Sequence, residues 1–343
     1  MTTPLVPHRT GTTRLSDGRS IGWAVFGPAD GDPVFWFHGT PGARHQLPHD
    51  AAELATERGL RIITIERPGT GSSTSHHYDR VVDFVDDFLQ VADDLGVHEF
   101  AVVGLSGGGP FVLAVAHELP RRTIVGVVLG GIGPTRGIDS IVSHTMLLVP
   151  AAPVLRFLRV PLAKGLSSLV HLATPLADQA VDLFFNLMPG DRGHFSERPL
   201  DRRQFTADLI DANHRSGIGA VVDDLILFGR YWGFELRRIK VPIVFYGGNS
   251  DVIVPYLHAE RQSERVTDAR LRTYEGRGHF AGYTTPAHVL DDIREQWPST
   301  PAAPSKAAKR PTAGPRTHNG TKSPKSTPRA RTTKSRGDRT VDA

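Results

Sequence analysis

Five residues, Gly104-Leu105-Ser106-Gly107-Gly108, constrain the fold of this chain more than any other stretch. They fit G-x-S-x-G. The residues before them, 100–103, are apolar and valine-rich, and those after them, 110–119, can continue as an apolar helix. A strand, a sharp turn and a helix therefore follow one another. In that setting glycines let the backbone crowd a serine and leave its hydroxyl exposed, so the spacing marks Ser106 as a nucleophile on an elbow. An ordinary glycine-rich strand-to-helix loop is the other reading of the same residues.

The elbow stands in a series. Asp17-Gly18 is a turn signal between extended segments at 12–15 and 20–26, so a β-hairpin opens the chain. Segments 33–37, 60–65 and 123–129 are short apolar runs suited to buried strands, and each ends in a Gly- or Pro-rich loop. Helices are expected over 47–58 and 81–95. In the second of these, apolar residues recur at helical spacing, aspartates take the opposite face, and Gly96 stops the pattern. Alternating strand and helix predicts a mostly parallel α/β sheet covered on both faces. The alternation lapses over 135–235 and resumes with strands at 241–246 and 271–274 and a helix at 286–297.

The interruption reads as a helical cap inserted between two strands, leucine-rich at first and later aromatic. Most of its apolar side chains should pack the cap itself. A minority should line a pocket, and Met146, Met188 and the aromatics would make that pocket adaptable and apolar. The expected divisions are thus 1–134 and 236–297 for the two parts of an α/β core, 135–235 for the cap and 298–343 for a tail.

The tail accounts for the charge. Of the chain's 343 residues, the last 46 carry 11 Lys/Arg against 2 Asp/Glu, so the whole-chain balance of +4 belongs to them and the body before them is mildly acidic. The tail is rich in Pro, Ser and Thr and has no aromatic, a composition that cannot pack a core and predicts disorder. Its positive charge leaves open a weak contact with nucleic acid or an anionic surface, beside a purely solvated extension. There is no cysteine, which removes thiol catalysis, disulfides and thiolate metal sites. Residues 1–10 have no apolar core of a secretory signal, and the longest uncharged apolar run, 146–155, is broken by two prolines and falls short of the roughly 20 residues of a membrane span. The expectation is a cytoplasmic protein without a transmembrane segment.

A serine hydroxyl needs a base, and the base needs an orienting carboxylate. Among 16 histidines, His279 lies in Gly276-Arg277-Gly278-His279-Phe280 directly after an expected strand, with His258 as the reserve. Asp251 is the carboxylate of the loop Gly247-Gly248-Asn249-Ser250-Asp251, also after a strand, although an Asx turn or helix cap would use the same residues. Asp139 is the second choice. The chain order Ser106, Asp251, His279 suits three loops leaving one edge of an α/β sheet. Attack on a carbonyl creates an oxyanion that needs two backbone N–H donors. Gly107 is one; the other should come from His38-Gly39-Thr40-Pro41-Gly42, where Pro41 has no N–H, Thr40 is favoured and Gly39 is in reserve. His38 reads as fixing that turn. No H-E-x-x-H occurs, the glycines of 104–109 do not fit G-x-G-x-x-G and no P-loop lysine follows, so neither a metal nor a cofactor is called for.

These residues resemble the α/β-hydrolase superfamily over about 12–297: the His38 to Gly42 loop, Arg67-Pro68-Gly69-Thr70-Gly71-Ser72, the elbow, Gly247 to Asp251, and Gly278-His279. The resemblance implies an eight-stranded, mostly parallel sheet, a cap over the site and hydrolysis through an acyl-enzyme. Epoxide hydrolases and haloalkane dehalogenases of this superfamily carry aspartate where Ser106 stands. Proline iminopeptidases share the His-Gly-x-Pro-Gly loop, but a tryptophan usually follows their serine, where this chain has Gly107. The expected activity is cleavage of a carboxylic ester of a small or medium apolar substrate. An amidase or aminopeptidase, a carbon–carbon bond hydrolase and a non-catalytic ligand-binding protein on the same fold are the alternatives.

Overall fold

A computed structural model of the chain describes residues 5–173, 176–193, 197–212 and 219–297, with the backbone alone over 162–173. The disorder and partner contacts expected of the tail at 298–343 lie outside the described residues. One eight-stranded sheet runs through the molecule: β1 (Arg9–Arg14), β2 (Ser20–Phe26), β3 (Asp32–Phe37), β4 (Leu60–Ile65), β5 (Phe100–Leu105), β6 (Thr123–Leu129), β7 (Ile243–Gly248) and β8 (Ala269–Tyr274). Their spatial order is β1-β2-β4-β3-β5-β6-β7-β8. The β1–β2 hairpin and the β2–β4 pair are antiparallel, and every pairing from β4 to β8 is parallel.

Period-two alternation sorts the core into two layers. In β3, Phe35 and Phe37 join Phe84, Phe88 and Phe111 on one face, against α2 (Phe84–Asp94) and α3 (Gly109–Glu118). Val34 and Trp36 point the other way, toward Ala51 and Ala55 of α1 (Ala51–Glu57) and Val289 and Ile293 of the C-terminal helix. With neither face left to solvent, β5 can be buried from end to end.

The segment between β6 and β7 forms helices, as its composition suggested: α4 (Leu148–Ala173), α5 (Ala177–Leu187), α6 (Pro199–Ala212) and α7 (Gly219–Phe228). Helix α4 packs on α7, and α5 on α6. Two further helices complete the fold, α8 (Leu257–Arg265) and α9 (Pro286–Gln296). No described helix is long and apolar enough to cross a membrane.

Among the boundaries that differ from the expected ones, three have a visible cause. Strand β7 starts at Ile243 because Pro242 has no N–H to give to a ladder. Strand β8 starts two residues early: it is an edge strand, and Arg270 and Arg272, which break its apolar pattern, pair with Asp292 on α9. Helix α1 starts at Ala51 rather than at 47, because the N–H groups of Ala43, His45 and His49 are taken by carboxylates of α6.

Candidate active site

Ser106 follows β5 and opens a single 3₁₀ turn that runs into α3. Its φ is 50°, the one positive φ among the described non-glycine residues. That conformation costs a residue with a Cβ about 1–2 kcal/mol and is kept where the surroundings enforce it. The surroundings here are close. A Cβ on Gly104 would lie 2.5 Å from the Gly108 carbonyl oxygen, and one on Gly108 would lie 2.5 Å from that of Phe37. Both positions therefore need glycine for the strand and helix to meet this sharply.

His279 and Asp251 come together from the loops after β8 and β7. His279 Nδ1 is 2.7 Å from Asp251 Oδ2, and both residues are buried. The other Asp251 oxygen, Oδ1, accepts the N–H groups of Ile253 (2.8 Å) and Val254 (2.9 Å). One carboxylate thus performs both roles the sequence allowed, capping its own loop and holding the imidazole. The second choices lie elsewhere. Asp139 accepts the Leu236 N–H at 2.8 Å and so braces a connection at the end of the insertion. His258 is fully buried; its Nδ1 accepts the Gly133 N–H at 2.9 Å, which leaves Nε2 to donate to Ser143 Oγ at 2.8 Å. Burial, with a smaller push from His144, lowers its pKa to about 4, so it stays neutral as a structural tie.

The loop after β3 supplies the amide side of the site. The Gly39 N–H donates to Gln46 Oε1 at 2.5 Å and is spent. Among the described residues the Thr40 N–H has no such acceptor, and the Gly107 N–H belongs to a helix-opening turn, where first-turn amides lack intrahelical partners. These are the two donors singled out from sequence. His38 Nδ1 donates to the Gly39 carbonyl (2.7 Å) while Nε2 accepts the Arg67 N–H (3.1 Å). Burial, reinforced by the Arg67 charge, holds its pKa well below the usual histidine value, so His38 remains neutral and fixes the turn.

Two cavities meet at Ser106. The larger, about 350 Å³, is lined by His279, Phe280 and Gln46, by Ala180, Val181, Phe184 and Phe185 of α5, and by Phe205 and Leu209 of α6. The smaller, about 240 Å³, lies against Gly107 and is walled by Ile132, Leu147, Leu148, Leu225, Phe228 and Val254. Thr40, Ser106 and Ile253 line both. The helical insertion contributes to each, chiefly through leucines and phenylalanines; Met146 and Met188, expected among the lining residues, line neither.

The sequence profile of the family described as alpha/beta hydrolase fold matches residues 32–286, most of the chain. The chain belongs to the alpha/beta hydrolase fold family. This hydrolase is 25% identical over 297 residues to a bifunctional esterase/perhydrolase of Acinetobacter calcoaceticus, covering 82% of this chain and 98% of that one. It is 31% identical over 132 residues to a proline iminopeptidase of Arabidopsis thaliana, a match spanning 38% of this chain and about a third (34%) of that enzyme. Among solved structures, the esterase RhEst1 of Rhodococcus sp. ECU1013 superposes with a TM-score of 0.61 at 20% identity, over 83% of this chain and 97% of that one, a likeness of fold.

Two supports of this hydrolase's site were not legible beforehand. Arg67, although part of a quoted motif, had no assigned task. Buried at 2% exposure, it donates through Nη1 to the His38 carbonyl (2.5 Å) and through Nη2 to the Gly39 carbonyl (2.9 Å), Thr40 Oγ1 (2.8 Å) and Asp224 Oδ2 (2.7 Å). Asp224, from α7, also accepts from Thr40 Oγ1 at 2.6 Å. The second support is a polar stripe on α6. Asp201, Gln204 and Asp208, spaced three and four apart, are buried and bind the backbone of 43–49: Asp208 accepts from Ala43 and His45 N–H (both 2.8 Å), Asp201 accepts from His49 N–H (2.8 Å), and Gln204 donates to the His45 carbonyl (2.9 Å). His49, Asp50 and Asp201 also place ligand-type atoms within 4.8 Å of one another, but the Arg198 guanidinium already pairs with both carboxylates.

Proposed function

We propose that this hydrolase cleaves carboxylic esters that carry an apolar group on each side of the ester bond, through an acyl-enzyme on Ser106. The observation that carries the reading is that a strained serine, a histidine paired to a buried aspartate and Thr40 stand at one apolar cavity, with Gly107 on the cavity that adjoins it at the same serine. In the proposed cycle Ser106 Oγ bonds to the ester carbon as His279 Nε2 takes its proton, and Asp251 holds the imidazole from Nδ1. The Thr40 and Gly107 amides receive the developing oxyanion. The carbon–oxygen bond then breaks, the alcohol leaves with the proton from His279, and water, activated by the same base, releases the acid.

The cavities support an assignment of the two substrate arms. The leaving oxygen must collect its proton from His279, and His279 lines the larger, phenylalanine-walled cavity, so the alcohol arm belongs there. The acyl arm then falls on the Gly107 side, in the smaller cavity. Neither cavity is lined by an aspartate or glutamate among the described residues, which favours an ester over the free α-ammonium group of an aminopeptidase substrate.

The test is labelling of the full chain with a fluorophosphonate, combined with turnover of ester panels in which either the acyl or the alcohol group is lengthened. Covalent labelling of Ser106, and loss of both labelling and turnover in Ser106→Ala, are expected. An unlabelled serine with no turnover of esters or amides would instead make the protein a ligand-binding member of its fold.

A further inference from the structure

The base is held from two directions. Asp251 grips the His279 ring, while the main chain of the same loop is gripped by the turn Pro189–Asp191, which belongs to the helical insertion. The Asp191 carboxylate accepts the His279 N–H on Oδ2 at 2.8 Å and the Phe280 N–H on Oδ1 at 3.0 Å, and the Gly190 carbonyl accepts the Gly278 N–H at 3.0 Å. Asp191 is 5% exposed, and no lysine or arginine among the described residues forms an ion pair with it. A buried carboxylate without a counter-ion is costly unless its oxygens accept hydrogen bonds, and here each does. Burial raises its pKa, and the Phe280 and His279 amides oppose that rise.

The same turn is tied to the substrate cavity. It begins two residues after the end of α5, and Ala180, Val181, Phe184 and Phe185 of that helix line the larger cavity. Phe185 packs against Phe280 at a ring separation of 4.7 Å, next to the base. A group that fills the cavity therefore presses on the helix whose end carries the grip on His279.

We propose that Asp191 is a positioning residue for the general base, through which the helical insertion sets where His279 stands when the cavity is filled. The inference rests on the ester-hydrolase reading, in which His279 is the base. Asp191 touches no reacting atom. It acts by fixing the main chain of His279.

The experiment compares Asp191→Ala and Asp191→Asn in the full chain, with kcat and KM measured on one ester. A misplacement of about 1 Å at a reacting group can cost about 100-fold. The expected result for Asp191→Ala is a fall in kcat of about 10- to 100-fold, with KM little changed. Asp191→Asn keeps one accepting oxygen and should recover part of kcat but not all of it. Wild-type kcat in a folded Asp191→Ala would overturn the proposal, as would a loss residing wholly in KM. Should the alanine variant not fold, wild-type kcat in Asp191→Asn overturns it alone. Turnover by the wild type and its loss in Ser106→Ala, run in the same assay, separate failure of this inference from failure of the ester-hydrolase reading.

Discussion

Arg67 links the loop after β3 to the insertion. Its guanidinium ties the carbonyls of His38 and Gly39 and the Thr40 hydroxyl to Asp224 of α7, and it lies 5.0 Å from the centre of the Phe111 ring. Removing one partner of a buried ion pair leaves the other desolvated and unpaired, a loss of about 3–5 kcal/mol. Arg67→Met should therefore lower the unfolding free energy by about that much, read from a urea titration. It should also lower kcat more than it raises KM, because the Thr40 amide loses its support while the cavity walls stay in place. Equal stability in the two proteins would show that Asp224 finds another partner. The Asp251 case is instructive at the same level. Sequence left it open between a loop cap and a triad acid, and the geometry accommodates both, one oxygen accepting its own loop's amides and the other lying against His279 Nδ1.

Helix α6 shows how an element can mislead. A helix with Asp201, Gln204 and Asp208 at three- and four-residue spacing has what looks like a solvated stripe, yet this stripe binds the backbone of 43–49, in the loop after β3. Burial lifts the Asp208 carboxyl from the ordinary range to about 7, against the pull of the Ala43 and His45 amides. The sign follows from which state holds the proton more tightly. With the folded pKa above the unfolded one, the folded state binds more protons between about 4 and 7, so this group's contribution is fully present below about 4 and is lost as pH rises through about 7. Asp208→Asn should remove that part of the pH dependence, so that the melting temperature of the variant falls less steeply than that of the wild type between these limits. Parallel curves for the two proteins would refute it.

For the molecule as a whole, the compact unit closes at Pro298. The basic balance belongs to the residues beyond it, which contain no aromatic and, apart from alanines, only Val341 to build a core. Deleting 298–343 should leave kcat and KM on a small ester unchanged while reversing the sign of the net charge. A large loss of kcat/KM would give the tail a part in the site. Charge-dependent retention on an anionic surface, compared with and without the tail, would then report its partner contacts separately from catalysis.

Much of the fold could be read from local chemistry. Apolar runs with no polar face have to be strands buried on both sides, and Gly104 and Gly108 permit a backbone approach that other residues forbid, so the sheet, the elbow and the order Ser106, Asp251, His279 were legible. Pro41 removed one amide by its own covalent structure, leaving Thr40 favoured and Gly39 in reserve, and the Gly39 bond to Gln46 became visible only in the fold. Contacts between residues far apart in the chain were not legible. Asp191 lies 88 residues from His279, and Asp224 lies 157 from Arg67. No periodicity joins such pairs, and a buried carboxylate looks like a surface one until its partners are in place. The ends of strands and helices placed the candidate site residues; only the packing of the insertion on the core decided which carboxylates hold them and how two apolar cavities meet at one serine.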